Sequence, residues 1–238
     1  MVDPGASQPK PDKAIFWDFD GTLASRHGGW RAALVEALFA IDPTLHVSEE
    51  SLREGLRAGF PWHQPEVGHP EIQTASQWWA AMAPIFERAY GLVGVSANVA
   101  CLAAVSVKEH YCNAERFEVY PSVRGALELL SQHGWTHFIV SNHVPELPQL
   151  VKDLDLDVHF SGILTSALAG YEKPNERIFH QALSLAQTPT EAWMIGDNPI
   201  ADVEGAQSAG IRAMLIRHGN DSSEDAVGLL DAVDAILA

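Results

Sequence analysis

From Tyr120 onward the chain alternates amphipathic segments of helical length with short apolar runs. "SVRGALELLSQHG" leads to "THFIVSNH", "PELPQLVKDL" to "FSGILTS", and "PNERIFHQALSLA" to "EAWMIGDNP". "IADVEGAQSAG" then leads to "IRAMLIRHG", and "SEDAVGLLDAVDAIL" closes the chain as a last helix. Strands separated by helices in this way pair in parallel, because each return crossing needs a helix, and the sheet they form is covered on both faces. One further strand lies far upstream, in the run Ala14-Ile15-Phe16-Trp17. Between it and the alternating region, from about Trp30 to Asn113, the pattern is almost wholly helical. "WRAALVEALFAI", "SEESLREGL", "ASQWWAAMAPIFERAY" and "SANVACLAAVSVKEHYC" carry apolar residues at helical spacing, with Ser48 as a helix start and Pro43 closing the helix before it. The Pro-, Gly- and His-rich "AGFPWHQPEVGHPEIQ" reads as a long loop. The expected fold class is therefore α/β: a core of residues 13–24 and 118–238, with an all-α insertion at 25–117 leaving the loop after the first strand. Residues 1–12 read as a flexible lead-in, and there is no internal repeat or low-complexity tract.

Charge and cysteine usage narrow the partners. Fifteen Lys and Arg against 31 Asp and Glu give a net charge of −16. Nucleic acid and anionic membranes select basic surfaces, so neither is expected as a partner. A small anionic substrate stays open if a divalent cation screens it locally. Hydrophobic residues make up 47% of the 238, enough for a substantial core and too many for a disordered chain. Cys101 and Cys112 form no CxxC pair or Cys/His cluster, so neither a zinc site nor a disulfide framework is indicated. The first residues are polar and Pro-rich rather than signal-like, and no apolar run approaches the ~18 residues of a membrane span. A soluble, reducing, cytoplasmic setting is the expectation.

Ligands of an open parallel sheet bind at the carboxyl ends of its strands. The first strand ends on Asp18, followed by Asp20, Gly21 and Thr22; the strand after the insertion ends on Ser141-Asn142. A later one ends on Gly196-Asp197, with Asp202 opening the next helix, and Lys173 sits beside the helix-opening Pro174. Asp18 and Asp20 alone would pass for a solvated acidic turn. Three strand ends carrying Asp, Ser/Asn and Asp beside a Lys point instead to a divalent metal, Mg²⁺ above all, held by carboxylates and water. Carboxylate, hydroxyl, ammonium and Mg²⁺ together make a phosphoryl site, with a nucleophile, a hydrogen-bond donor and charge neutralisers.

"DFDGT" at 18–22, "VSN" at 140–142, "EKP" at 172–174 and "GDNPIAD" at 196–202 resemble, in order, the four motifs of the haloacid dehalogenase superfamily, spread over nearly the whole chain. The resemblance implies a Rossmann-like core, and the helical insertion after the first motif looks like that family's C1-type cap. It implies that Asp18 is the nucleophile forming an aspartyl phosphate, and that Asp20 protonates the leaving alcohol and then deprotonates the hydrolytic water, its backbone carbonyl on the metal. Ser141 and Asn142 would bind the phosphoryl group with Thr22, Lys173 would hold it against Asp18, and Asp197 and Asp202 would complete the Mg²⁺ site with Asp18 and Asp20. The implied activity is Mg²⁺-dependent hydrolysis of a small phosphorylated metabolite. Dehalogenases of the family expel halide, which needs no proton, and lack an Asp two residues past the nucleophile, so Asp20 favours phosphoryl chemistry. A phosphonate hydrolase would need a Schiff-base lysine in the insertion, where Lys108 alone stands, in an ordinary helix. A phosphosugar mutase shares all four motifs and remains the alternative, as does a catalytically weak binding or dimerisation module keeping the fold.

Other residues divide between two readings. Trp62, His63 and His69 either contact substrate or anchor the long loop; Trp78 and Trp79 are expected in core or interdomain packing. Arg26 and His27 either reach a second anionic group or form a solvated hinge. His143 lines the pocket rim or supports a helix start, and Glu172 is expected to fix the Lys173 ammonium. Cys101 and Cys112 are expected as buried small apolar residues.

Overall fold

The computed structural model describes residues 11–218 and 227–238. The lead-in expected at 1–12 lies outside the described residues up to Lys10, and Asp12 is already tied down. Its carbonyl accepts the backbone N–H groups of Thr190 (2.9 Å) and Glu191 (3.1 Å) and the Thr190 hydroxyl (2.8 Å).

The chain opens with β1 (Lys13–Trp17) and turns into the short β2 (Ala24–Arg26). Then come the helices α1 (Gly29–Ile41), α2 (Glu49–Leu52), α3 (Ala75–Leu92) and α4 (Ala97–Tyr111), after which β3 (Phe117–Val119) pairs antiparallel with β2. The remainder runs α5 (Val123–Gln132), β4 (Trp135–Ser141), α6 (Leu147–Asp153), β5 (Phe160–Thr165), α7 (Ser166–Ala169) and α8 (Glu176–Leu185). It ends with β6 (Glu191–Gly196), a π-helical turn at Pro199–Glu204, α9 (Gly205–Ser208), β7 (Arg212–Leu215) and α10 (Leu229–Leu237). Residues 223–226 of the expected last helix lie outside the described residues. α2 is a single turn, shorter than the pattern of "SEESLREGL" suggests; Ser48 caps it as expected, accepting the Ser51 N–H at 3.2 Å.

Five strands form one parallel sheet in the order β5-β4-β1-β6-β7. β1 is central, and the direction of winding reverses between β1 and β6, where such sheets hold their ligands. Alternate side chains of β1 go to opposite faces. Ile15 and Trp17 join the cores of α5, α6 and α10, whereas Ala14 and Phe16 join those of α8 and α9. All four are fully buried. At roughly 1.5–3 kcal/mol for each large side chain, the strand delivering Asp18 is anchored far more firmly than a surface turn would be.

The helices between β2 and β3 build a separate aromatic-rich core around Trp78, Phe86 and Tyr90, which also takes in Val144 and Ala167 from the sheet region. α3 starts with a capping box, Thr74 and Gln77 serving each other's backbone N–H groups. Glu146 ties this layer to the sheet, accepting the Trp79 indole N–H (2.9 Å) and pairing with Lys108 (2.6 Å). Trp78 is core and Trp79 interface, as expected. Arg26 neither lines the cavity nor stands in solvent: it is buried, paired with the Glu36 carboxylate at 3.0 Å and donating to the carbonyls of Gly29 and His110. Both cysteines are free; Cys101 is exposed and Cys112 half-buried, so Cys101 corrects the expectation of burial, lying on the outer face of α4.

Candidate active site

β1 continues one residue past its end, the Asp18 N–H donating to the Ile195 carbonyl at 2.9 Å. The chain then curls back, with Phe19 O accepting the N–H groups of Leu23 and Ala24, and Gly21 taking φ +81°. A Cβ at Gly21 would lie 2.4 Å from Asp197 Oδ2, so this position needs glycine for both conformation and space.

Asp18 is held on one oxygen. Its Oδ1 accepts the Ser141 hydroxyl from the end of β4 at 2.8 Å and the Lys173 ammonium at 2.7 Å. Among the described residues no side chain donates to its other oxygen, which is left for chemistry. Lys173 also donates to Asp202 Oδ1 at 2.6 Å, and Asp202 Oδ2 accepts the Asn198 N–H at 3.0 Å. Burial acts to lower the Lys173 pKa, but Asp18 and Asp202 outweigh it and raise the ammonium above its ordinary value. Asp197 follows β6, its carbonyl taking a hydrogen bond from Arg217.

Asp18, Asp197 and Asp202 each bring a carboxylate oxygen within 4.8 Å of the others. Burial, together with the charge of Asp18, raises both Asp197 and Asp202 to about 6. When ionised, the three clustered carboxylates exceed the Lys173 ammonium by two charges, which a divalent cation balances. Hard oxygen donors of this kind suit Mg²⁺. The residues present therefore fit the metal.

Asp20 stands across the cavity, 41% of its side chain open, yet deep enough that burial, reinforced by Asp18, lifts its pKa to about 7. Its Oδ2 accepts the Tyr111 hydroxyl at 3.4 Å and lies 3.5 Å from His143 Nε2. His143 is buried, neither ring nitrogen finding a hydrogen-bond partner among the described residues, and burial drops its pKa to about 4, leaving a neutral ring beside the acid.

The cavity, about 580 Å³, is lined by all of the expected acids, by Ser141, Asn142 and Lys173, and by Trp30, Trp62 and Tyr111. Thr22 is not brought to it. The turn after Asp20 carries Thr22 inward, fully buried, its hydroxyl without a partner among the described residues and its carbonyl facing His218 Nε2 at 2.8 Å. Asn142 reaches the cavity, but its amide is engaged with the backbone of Lys173. Glu172 does not hold the ammonium: it turns away, fully buried, to His69 Nε2 at 3.2 Å. His69 thus anchors the long loop, Trp62 alone of the three loop aromatics reaches the cavity, and His63 does not. Pro174 does not open α8; Asn175 caps it. Sequence reasoning missed Trp30, Tyr111 and Asn198. Asn198 lay in plain view within "GDNPIAD", where its side chain caps the turn by accepting the Ile200 and Ala201 N–H groups. Trp30 and Tyr111 carried no local signal.

Residues 13–210 match the haloacid dehalogenase-like hydrolase family. Over 210 residues the chain is 28% identical to the human haloacid dehalogenase-like hydrolase domain-containing protein 3, covering 86% of this chain and 81% of that one. Over 175 residues it is 30% identical to the phosphoserine phosphatase of Thermus thermophilus, covering 67% and 69%. The crystal structure of a 2-haloacid dehalogenase from Pseudomonas syringae pv. Tomato superposes with a TM-score of 0.66 at 26% identity, over 95% of this chain and 99% of that one. The match spans every strand that contributes an acid to the cavity, and the chain belongs to the haloacid dehalogenase-like hydrolases.

Proposed function

We propose that this hydrolase is a Mg²⁺-dependent phosphatase acting on a small phosphate monoester through an aspartyl phosphate on Asp18. The observation that carries this is the pairing of two differently treated acids: Asp18, fixed by Ser141 and Lys173, and Asp20, facing it across the cavity with Tyr111 as its one hydrogen-bond donor among the described residues. The free oxygen of Asp18 attacks phosphorus and the ester P–O bond breaks. Asp20 gives its proton to the departing oxygen; its raised pKa supports this role, since a group near 7 holds a proton to give and can take one back. Asp20 then removes a proton from water, whose oxygen attacks phosphorus and returns Asp18 as a carboxylate. Ser141 and Lys173 stabilise the charge carried by the transferring group. Asp18, Asp197 and Asp202 would hold Mg²⁺, with the Asp20 carbonyl. When bound, the cation neutralises phosphoryl oxygens and offsets the excess acid charge. Halide release would leave Asp20 without work, which favours phosphoryl transfer over the chemistry of the dehalogenase neighbour.

The helical layer of residues 25–117 serves in this reading as a cap that closes the cavity against bulk water. Among the described residues no helix is long and apolar enough to cross a membrane. The free thiols of Cys101 and Cys112 fit a reducing, cytoplasmic setting.

The test is phosphate release from p-nitrophenyl phosphate with and without Mg²⁺, in wild type and Asp18→Asn. Mg²⁺-dependent release that disappears in the folded variant is the expected result. Release that survives in Asp18→Asn removes the proposed nucleophile.

A further inference from the structure

The cavity has two ends of different chemistry, and Asp20 marks the boundary between them. On one side lie Ser141, Lys173 and the three clustered acids. On the other, Tyr111 donates to Asp20 and stacks face to face on Trp30, with ring centroids 3.8 Å apart and planes 12° apart. Trp30 in turn lies near-parallel to Trp62, at 6.1 Å and 29°. Trp62 has one face covered by Phe60, at 4.4 Å and 11°, and lines the cavity with what remains. Because Asp20 protonates the leaving oxygen, whatever that oxygen carries lies against this wall.

The same end lacks charge to meet a second ionic group. Lys173 is the one Lys or Arg lining the cavity among the described residues, and Asp18 and Asp202 occupy it. Behind the tryptophans a second groove, of about 790 Å³, holds Arg31, Arg53 and Arg57. Each is already paired, the first two with Glu50 and the third with Glu54. Within the cavity itself, a leaving group bearing a carboxylate, such as that of phosphoserine, would find no unpaired Lys or Arg among the described residues.

We infer that the substrate is a phosphate monoester whose leaving alcohol is uncharged and carries a planar ring, held on the wall formed by Trp62, Trp30 and Tyr111. This rests on the phosphatase reading above. Stacked rings gain from both area and quadrupole alignment, so the wall discriminates by shape as well as by apolarity.

The experiment compares kcat/KM for benzyl phosphate and a nucleoside 5′-monophosphate with that for glycerol 1-phosphate and O-phosphoserine. All four release an alcohol, so intrinsic leaving-group ability is comparable. Acetyl phosphate, which has no ring and needs no proton on its leaving group, reports the phosphoryl chemistry itself. At least one ring-bearing ester is expected to exceed the ring-free ones by about tenfold or more. That ratio is expected to collapse in Trp62→Ala and in Trp62→Leu, which keeps apolar bulk without a ring, and to return in Trp62→Phe. Which ring-bearing ester leads distinguishes a simple arylalkyl group from a nucleoside. Ring-free esters or O-phosphoserine turned over as fast as the ring-bearing ones, or a ratio indifferent to Trp62, overturns the inference and leaves the phosphatase reading standing. Failure to hydrolyse any of these compounds, acetyl phosphate included, overturns both.

Discussion

Asn142 grips Lys173 by its backbone at both ends of one amide: Oδ1 accepts the Lys173 N–H at 2.7 Å, and Nδ2 donates to the Lys173 carbonyl at 2.9 Å. The clamp spans 31 residues of sequence and fixes the residue whose ammonium bridges Asp18 and Asp202. Asn142→Asp keeps the acceptor and places an oxygen where the donor was, facing a carbonyl. We expect kcat for p-nitrophenyl phosphate to fall by about 10- to 100-fold, with the unfolding midpoint shifting far less than in Lys173→Met. A variant with wild-type kcat would show that Lys173 needs no such clamp.

Lys173→Met removes the cation between two buried carboxylates. Breaking a buried pair from one side costs about 3–5 kcal/mol, because the orphaned charges stay in place. The double variant Lys173→Met/Asp202→Asn leaves fewer unpaired charges and is expected to be more stable than the single Lys173 variant. Urea denaturation of the wild type, both single variants and the double variant gives the coupling directly. Additive losses would mean that the two side chains do not act on each other.

The excess negative charge of Asp18, Asp197 and Asp202 should be visible without any assay of turnover. Mg²⁺ at about 100 times its dissociation constant is expected to raise the unfolding free energy by about 2.7 kcal/mol. Gly21→Ala pushes a methyl group against the Asp197 carboxylate, so it should blunt this metal-induced rise as well as weaken the fold. A thermal midpoint indifferent to Mg²⁺ in wild type would count against the metal site.

His137 gives the fold a titration separate from the active site. Its Nδ1 accepts the Trp17 indole N–H at 3.0 Å, while Nε2 faces the Leu127 carbonyl and the Ser131 hydroxyl, both at 3.1 Å. Burial lowers its pKa from 6.5 to about 4. The unfolded chain therefore takes up this proton first as pH falls. The contribution is complete above pH 6.5 and is lost on descending towards 4, a change on the order of 3 kcal/mol. Asp20, Asp197 and Asp202, whose pKa values are raised, titrate in the opposite sense. The His137 term is thus the difference between wild type and His137→Gln in urea midpoints from pH 7 to 4. Parallel curves would show that the imidazole stays as protonatable folded as unfolded.

The legible part of this chain was local. Apolar runs at Ala14–Trp17, Phe138–Val140 and Met194–Ile195 are strands because each is buried on both faces, and whatever follows a parallel strand arrives at the same edge. That logic brings Asp18, Ser141 and Asp197 to one edge of the sheet from sequence alone. It failed where a side chain's direction depends on a contact distant in sequence. Glu172 adjoins Lys173, yet it turns to His69, 103 residues away. Thr22 follows the acids, yet the Gly21 turn carries it inward. Tyr111 meets Asp20 across 91 residues, a meeting set by how α4 packs against α1, whose Trp30 stacks on the Tyr111 ring. No periodicity in either helix announces it.

The antiparallel pair Ala24–Arg26 and Phe117–Val119 has one more consequence. The helical layer leaves the core and rejoins it at neighbouring points, so its two ends coincide whatever their separation in sequence. Asp18, Ser141 and Asp197 are set by a sheet whose register this excursion never enters. A change in the length of these helices therefore leaves the register of the sheet untouched, and it reaches the cavity through Tyr111 and Asp20 instead. Along the chain, the helical layer and the sheet are joined only through this ribbon, three residues on either side.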